Sequence, residues 1–398
     1  MLTGKTAVDH GVVANGFFWR DSNKVEMWTA WNEVIEQPQI WDLLRQQNPS
    51  LKSAAWFPML SKGCSADYVC MPAPIHQPDG SEDMWCYTKP QEFYGELLEN
   101  FDHFPLKHFW GPLANIQSTQ WIADSAVAAT KKFQPDFFYV YLPHLDYAAQ
   151  KFGPDSEQAL AAVRELDDLI GKFQQQANAA HPNPIHWLAV SEYVISSVNH
   201  VSFPNRLLRE AGLLQVQLHD GGEQLDLENS KAWALVDHQF SHVFVKDRDR
   251  ATIAQVKQVF AEADGIAEVV SGPDRARFNL DHERSGDVVL VSTPNSWQAY
   301  YWWLDDNRAP AFACTVDIHR KPGYDPVELF FDFQTKSVPL DASLINGSHG
   351  LPPADPGDQQ GVFLSSETLP ACNDQLSDLD ICQLVLRLFS AESSSQRE

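Results

Sequence analysis

Two continuous apolar runs of strand length are each followed by an acidic residue. Residues 137–142 (FFYVYL) precede Asp146, and residues 187–190 (WLAV) precede Glu192. Such runs, each followed by a helical pattern, are typical of parallel strands that are buried on both faces and bind ligands at their carboxyl ends. We therefore expect Asp146 and Glu192 to lie close together at one edge of a sheet.

The spacing of the other apolar positions predicts helices. They fall at residues 39–46, 118–132, 155–173, 251–263 and 376–389. In the helix at 155–173, Asp155 or Ser156 can act as the N-cap. Its apolar stripe is expected to pack on the sheet and comprises Ala159, Val163, Leu166, Ile170 and Phe173.

Shorter apolar segments predict further strands, at residues 233–236, 242–245, 288–291 and 361–364. We expect the segment at 288–291 to rejoin the main sheet after a small α+β insert. The predicted organisation is a core formed by residues 1–206 and 281–398, the second part including a C-terminal helix, with the insert at 207–280.

Composition restricts the class of ligand. The formal net charge is −24, so the chain has no net positive field that would attract a nucleic-acid polymer. A small phosphorylated substrate remains compatible, because bound cations can supply local positive charge.

The chain also shows no signal for a membrane or for secretion. No apolar stretch reaches the roughly 18 residues of a transmembrane helix, and the first residues lack the apolar core of a signal peptide. We therefore expect a cytoplasmic protein without a membrane partner, and the oligomeric state stays open. The cysteines form neither a C-x-x-C pair nor a dense scaffold, so we expect free, buried thiols at Cys64, Cys70, Cys86, Cys314, Cys372 and Cys382.

Four segments carry motifs in a fixed order. Residues 2–16 are LTGKTAVDHGVVANG, residues 146–154 are DYAAQKFGP, residues 191–193 are SEY and residues 347–350 are GSHG. They resemble, in the same order, the stretches T-G-x-x-P-x-x-H-G-I-x-x-N, D-x-x-G-H-x-x-G-P, S-D-H and G-x-H-G of the type I phosphodiesterases and nucleotide pyrophosphatases. That family belongs to the alkaline phosphatase superfamily.

The resemblance implies roles for four residues. Asp146, Glu192 and His349 stand at positions of metal ligands, and Asn15 matches an asparagine that holds a phosphate oxygen. Each has a structural alternative: a loop aspartate can bond backbone amides, a glutamate can be solvated, Asn-Gly is a common turn, and a histidine between glycines can be an ordinary loop residue.

Two of the departures from the family pattern replace histidines. Gln150 replaces a metal-binding histidine, and Tyr193 replaces the histidine of S-D-H. An amide oxygen can bind a hard cation but is a poor substitute for imidazole at zinc. His144 and His319 are possible additional ligands, together with Gln150 and Tyr193 themselves.

The resemblance also implies a fold and an activity. The fold is α/β, an alkaline-phosphatase-like three-layer sandwich with a mostly parallel central sheet and the small insert. The activity is metal-dependent hydrolysis of phosphate diesters, nucleotide pyrophosphates or phosphonates, with two divalent ions, zinc first and manganese or magnesium as alternatives. In the family a threonine or serine nucleophile precedes the first motif, so we expect the sequence to be truncated before Met1, without the nucleophile and the first strand.

Two other functions are left open. A non-catalytic relative that binds a ligand would explain the altered residues Gln150, Glu192 and Tyr193. A sulfatase or phosphomutase of the same superfamily is also compatible, because its nucleophile would likewise lie before Met1.

Overall fold

The computed structural model describes residues 1–76, 82–352, 360–369 and 375–395. The α-helices of these residues are α1 (Ala7–His10), α2 (Ile40–Gln47), α3 (Phe93–Phe101), α4 (Ile116–Phe133), α5 (Asp146–Phe152), α6 (Glu157–Ala180), α7 (Pro204–Glu210), α8 (Arg250–Phe260) and α9 (Asp378–Ser395). All five predicted helices are therefore confirmed, with shifted ends.

The strands are short and numerous. In chain order they are β1 (Gly16–Trp19), β2 (Lys24–Met27), β3 (Ser53–Trp56), β4 (Tyr68–Pro72), β5 (Ile75–His76), β6 (Glu82–Asp83), β7 (Cys86–Lys89), β8 (Phe137–Val140), β9 (Leu188–Val190), β10 (Ser196–Ser197), β11 (His200–Ser202), β12 (Gln215–His219), β13 (Gly222–Asp226), β14 (Ala232–Asp237), β15 (Phe240–Val245), β16 (Ile266–Ser271), β17 (Val288–Ser292), β18 (Ser296–Gln298), β19 (Gly347–Ser348) and β20 (Phe363–Ser365).

The first apolar run forms β8, the last strand of a four-stranded sheet of order β7-β4-β3-β8. Strand β3 is parallel to β4 and β8, whereas β7 is antiparallel to β4. Helices α3, α4 and α6 cover this sheet around Trp56, whose indole N–H donates to Ser125 Oγ at 3.1 Å. Strand β8 is half-buried, not buried on both faces as expected, and among the described strands it pairs with β3 alone.

The second apolar run forms β9, but its pairing differs from the expectation. Within the described parts of the chain, β9 forms a ladder with β20 alone, and the two are antiparallel. The idea that β8 and β9 are parallel strands of one hydrogen-bonded sheet is therefore wrong. An apolar run identifies a strand, but the choice of partner depends on the remainder of the chain.

A second four-stranded sheet has the order β14-β15-β17-β16 and is antiparallel throughout. Strand β17 was expected to rejoin the main sheet, and this is wrong, since it lies between β15 and β16. All of its side chains are buried. Val288 and Leu290 lie in the core that α7, α8 and the aromatic segment 297–303 complete, whereas Val289 and Val291 pack in a separate cluster with Val270. The domain division at residues 207 and 280 stays a prediction.

Helix α6 was predicted, but its buried face differs from the expected one. Ser156 is its N-cap, and its hydroxyl accepts from the Ala159 N–H at 3.1 Å. Val163, expected in the core, is 49% exposed. The buried side chains are Ala159, Ala162, Leu169, Phe173 and Ala177. The small alanines allow close contact with α4, and this contact rotates the buried face away from the predicted stripe.

The expectation of free thiols is confirmed where it can be examined. Among the described residues, Cys64, Cys70, Cys86, Cys314 and Cys382 carry free thiols, and all but Cys314 are buried. Cys372 lies outside the described residues. None of the described helices is long and apolar enough to cross a bilayer.

Candidate functional site

Helix α5 begins at Asp146, directly after the loop that follows β8. Asp146 and Gln150 are four residues apart and so project from one face of the helix. Asp146 Oδ1 accepts from Gln150 Nε2 at 2.7 Å, and the hydroxyl of Tyr193 donates to the same carboxylate. Gln150 Oε1 accepts from the Tyr324 hydroxyl at 2.6 Å. The Gln150 oxygen, the atom that could bind a cation, is thus occupied by a hydrogen bond.

His349 follows β19 and lies beside Asp146. The distance from His349 Nε2 to Asp146 Oδ1 is 3.9 Å. A side chain at Gly347 would collide with the carbonyl oxygen of Ala149, so glycine allows β19 to approach α5 this closely. Burial lowers the pKa of His349 to about 3, which keeps its imidazole neutral.

The sequence motifs did not indicate Asp237 and His238, which lie at the tight turn between β14 and β15. The His238 ring lies 3.7 Å from the ring of His349 and 4.2 Å from that of Tyr324, between their centroids. Tyr193 stacks on the other face of His349 at 3.8 Å. We call this stack of Tyr193, His349, His238 and Tyr324 the ring column. The missed signal was an acidic residue ending an apolar strand, the same signal that identified Asp146.

Tyr324 reaches the ring column because its loop approaches β14. A side chain at Gly323 would lie only 2.8 Å from the carbonyl oxygen of Val236. The loop is fixed by the buried Lys321, whose Nζ donates to Asp325 Oδ2 at 2.8 Å and also to a glutamate carboxylate. Glycine and a buried ion pair therefore place the Tyr324 hydroxyl next to Gln150.

Asn15 reaches the site through Asp237. The Asn15 backbone N–H donates to Asp237 Oδ2 at 2.7 Å, and Asn15 Nδ2 donates to Oδ1 at 3.0 Å. Burial raises the pKa of Asp237 to about 6, although the two bonds from Asn15 oppose this. Burial raises the pKa of Asp146 to about 6 as well, against the hydrogen bonds from Gln150 and Tyr193.

The structure places the remaining predicted residues as follows. The Glu192 side chain is exposed. The surrounding protein nevertheless removes part of the hydration of its carboxylate, which raises the pKa of Glu192, and the negative charge of Asp146 raises this pKa further. His144 Nε2 contacts Glu165 Oε2 at 2.9 Å and faces a separate cavity of about 280 Å³. His319 is exposed, and its backbone N–H donates to an aspartate of its own loop.

The donor set can be compared with the needs of a metal ion. Asp146 and His349 offer a carboxylate oxygen and a neutral imidazole nitrogen side by side. A zinc site needs at least three protein ligands, and across residues 1–76, 82–352, 360–369 and 375–395 no group of three His, Cys, Asp or Glu side chains converges in this way. The described donors alone do not fit a complete metal centre.

The fold of the chain is similar to that of solved structures of known proteins. Among solved structures, phosphonoacetate hydrolase from Sinorhizobium meliloti 1021 in complex with phosphonoformate has a TM-score of 0.56 and 16% identity, over 97% of this chain and 82% of that chain. Murine ectonucleotide pyrophosphatase / phosphodiesterase 5 has a TM-score of 0.54 and 14% identity, over 98% of this chain and 81% of that chain. No curated protein sequence matches. These similarities confirm the α/β, alkaline-phosphatase-like fold.

The family is shown by the sequence itself. A family model described as type I phosphodiesterase / nucleotide pyrophosphatase matches residues 1–325, which is most of the chain. The match includes the segments that contain Asn15, Asp146 and Glu192. The chain therefore belongs to the type I phosphodiesterase / nucleotide pyrophosphatase family.

Proposed function

We propose that the protein hydrolyses small phosphorylated substrates of the phosphate diester, nucleotide pyrophosphate or phosphonate classes. The observation that carries this proposal is the approach of His349 Nε2 to Asp146 Oδ1, at 3.9 Å. Both residues stand in segments that resemble family motifs, although they are 203 positions apart in the chain. The structural similarity to a phosphonate-bound hydrolase supports a small phosphoryl ligand.

The side chains of the site suit such a ligand. His349 presents a neutral imidazole, whereas Asp146 is largely ionised at neutral pH. One side-chain amide N–H of Asn15 donates to Asp237. The second N–H of the same amide can donate to a phosphoryl oxygen of the ligand. The strongly negative chain favours a small ligand over a polyanion.

The expectation of two divalent ions, zinc before manganese or magnesium, stays a prediction. Asp146 and His349 have the ligand chemistry that zinc accepts, and Glu192 carries a further carboxylate within the electrostatic influence of Asp146. When bound, divalent ions polarise a phosphoryl group and lower the pKa of a nucleophile. Because the described donors do not complete a centre, metal content has to be measured directly.

A binding protein without turnover is the second candidate. The specific observation in its favour is that Gln150 and Tyr193 already donate to Asp146, where the family motifs have imidazoles. Such a carboxylate is held by hydrogen bonds without a cation. Sulfate ester cleavage and phosphomutase action stay predictions that no contact among the described residues favours.

Substitution of Asp146 tests the proposal. The protein, produced with the upstream segment in which the family resemblance implies the threonine or serine nucleophile, is assayed with bis(4-nitrophenyl) phosphate and with zinc, manganese or magnesium, and its metal content is measured by mass spectrometry. We expect turnover by the wild type and a loss of about 100-fold or more in kcat/KM for Asp146→Asn, because the isosteric amide removes the charge.

Asp124→Asn is the matched control. Asp124 lies in α4 and accepts from Gln120 Nε2 at 2.9 Å, as Asp146 accepts from Gln150, but outside the site. Its activity should equal that of the wild type. A wild type that binds methylphosphonate in calorimetry but turns over no substrate with any of the three metals would establish the binding protein instead.

A further inference from the structure

Asp237 holds Asn15 by two hydrogen bonds at once. The carboxylate accepts from the Asn15 backbone N–H at 2.7 Å and from the side-chain amide at 3.0 Å, and Asp237 is only 3% exposed. Bonds to a carboxylate are stronger than bonds between neutral groups and fix the orientation of the donor. The plane of the Asn15 amide, and with it the direction of its second N–H, is therefore set by Asp237.

His238 lies in a backbone conformation that a histidine rarely adopts. Its φ is 55°, in the left-handed region that glycine and asparagine enter more easily. The turn nevertheless places an imidazole between His349 and Tyr324, and the side chain is almost fully buried there. Strained residues that the surrounding structure holds in place are concentrated at ligand sites.

The turn is also attached to the backbone of the site. The Gln239 N–H donates to the carbonyl oxygen of His349 at 3.1 Å, and the Gln298 N–H donates to that of His238 at 2.8 Å. Asp237, His238 and His349 consequently keep fixed relative positions.

We propose that Asp237 and His238 are positioning residues of a phosphoryl-binding site. Asp237 aims the free amide N–H of Asn15 at an oxygen of the ligand's phosphate or phosphonate group, and His238 supports the ring of His349 that faces the same ligand. The inference rests on the proposed function, of which it names two further parts. Both residues lie within residues 1–325, which the family model matches, but outside the four segments that carry the sequence motifs.

Asp237→Asn tests the first part. The substituted amide has one oxygen for two donors, so the hold on Asn15 is partly lost. We expect the Kd for methylphosphonate and for inorganic phosphate, measured by calorimetry on the full chain, to rise about tenfold, which corresponds to one misplaced hydrogen bond. In the hydrolysis assay KM should rise by a similar factor while kcat changes little.

Asp226→Asn is a closely matched control. Asp226 is also buried and also accepts from the backbone N–H and the side-chain amide of one asparagine, Asn229, at 3.0 and 2.8 Å, but it lies at the end of β13. Its Kd should stay at the wild-type value. An equal rise in both variants would trace the effect to general loss of stability and overturn the positioning role.

His238→Asn tests the second part without disturbing the turn. Asparagine accepts the left-handed backbone, so the variant should fold, as circular dichroism would show, while the support for His349 is removed. We expect a Kd about tenfold higher than that of the wild type. Wild-type affinity in both Asp237→Asn and His238→Asn overturns the inference alone. A wild type that binds neither probe overturns the proposed function and this inference with it.

Discussion

Asp146 and Asp237 are two buried carboxylates that stand beside the two stacked histidines of the ring column. Asp146 Oδ1 lies 3.9 Å from His349 Nε2, and Asp237 Oδ1 lies 3.6 Å from His238 Nε2. Each also accepts from the side-chain amide of another residue, and burial raises both pKa values to about 6. Two similar acid–histidine pairs thus arise, one at the start of a helix and one in a β-turn.

The difference between them lies in what holds each carboxylate. The described hydrogen bonds to Asp146 come from the side chains of Gln150 and Tyr193. Asp237 also accepts from a backbone N–H of Asn15, which is fixed by the fold. Among the described bonds, Asp146 is therefore held by side chains alone, whereas Asp237 is held by a backbone N–H as well as a side chain.

The largest expected effect concerns the charge of Asp237. Because its pKa is raised from 3.8 to about 6, the native state retains a proton between pH 4 and 6 that the unfolded state has released. This residue therefore makes the free energy of unfolding fall as the pH rises. Asp237→Asn removes that contribution, so the free energy of unfolding of the variant relative to wild type should increase by up to about 3 kcal/mol from pH 4 to pH 7. Urea unfolding at several pH values measures it.

Asp226→Asn should change in the opposite direction. The hydrogen bonds from Asn229 and then Gln217 lower the pKa of Asp226, so its native state binds fewer protons than the unfolded state. The variant should lose stability relative to wild type as the pH rises through the acidic range. If the difference in the free energy of unfolding between Asp237→Asn and wild type does not change with pH, burial does not raise the pKa of Asp237.

The second prediction concerns the missing imidazole near Asp146. Gln150→His would place imidazole on the face of α5 that carries Asp146, next to His349, and so supply the three ligands that zinc needs. We expect zinc affinity at least about tenfold above that of the wild type, measured by chelator competition and metal analysis. The energetic difference is about 1.4 kcal/mol.

Gln120→His provides the matched comparison for zinc. Gln120 and Asp124 form the same bond four residues apart on α4, but away from His349. The variant should bind no more zinc than the wild type. Equal zinc binding by Gln120→His and Gln150→His would mean that His349 contributes nothing to the site.

The sequence indicated Asp146 and His349 because both stand in motifs, and Asp146 also because it follows an apolar strand. It did not indicate that Asn15 would meet Asp237, which is 222 positions away. That contact depends on the packing of β1 against β14, and local periodicity carries no information about such partners. For the same reason the strands at 188–190 and 288–292 were predicted, whereas their neighbours were not.

The smallest expected effect concerns the bond that holds Gln150. Tyr324→Phe keeps the stacked ring but removes the hydroxyl that donates to Gln150 Oε1 at 2.6 Å. The free energy of unfolding should fall by about 1 kcal/mol, because a largely buried amide oxygen loses its donor. Tyr301→Phe should cost less or nothing, since the Tyr301 hydroxyl is buried without a hydrogen-bond partner among the described residues. Equal losses of the free energy of unfolding in the two variants would mean that the Tyr324 hydroxyl does not help Gln150 to hold Asp146. The contrast between Asp146 and Asp237, which is held by a backbone N–H, would then be larger.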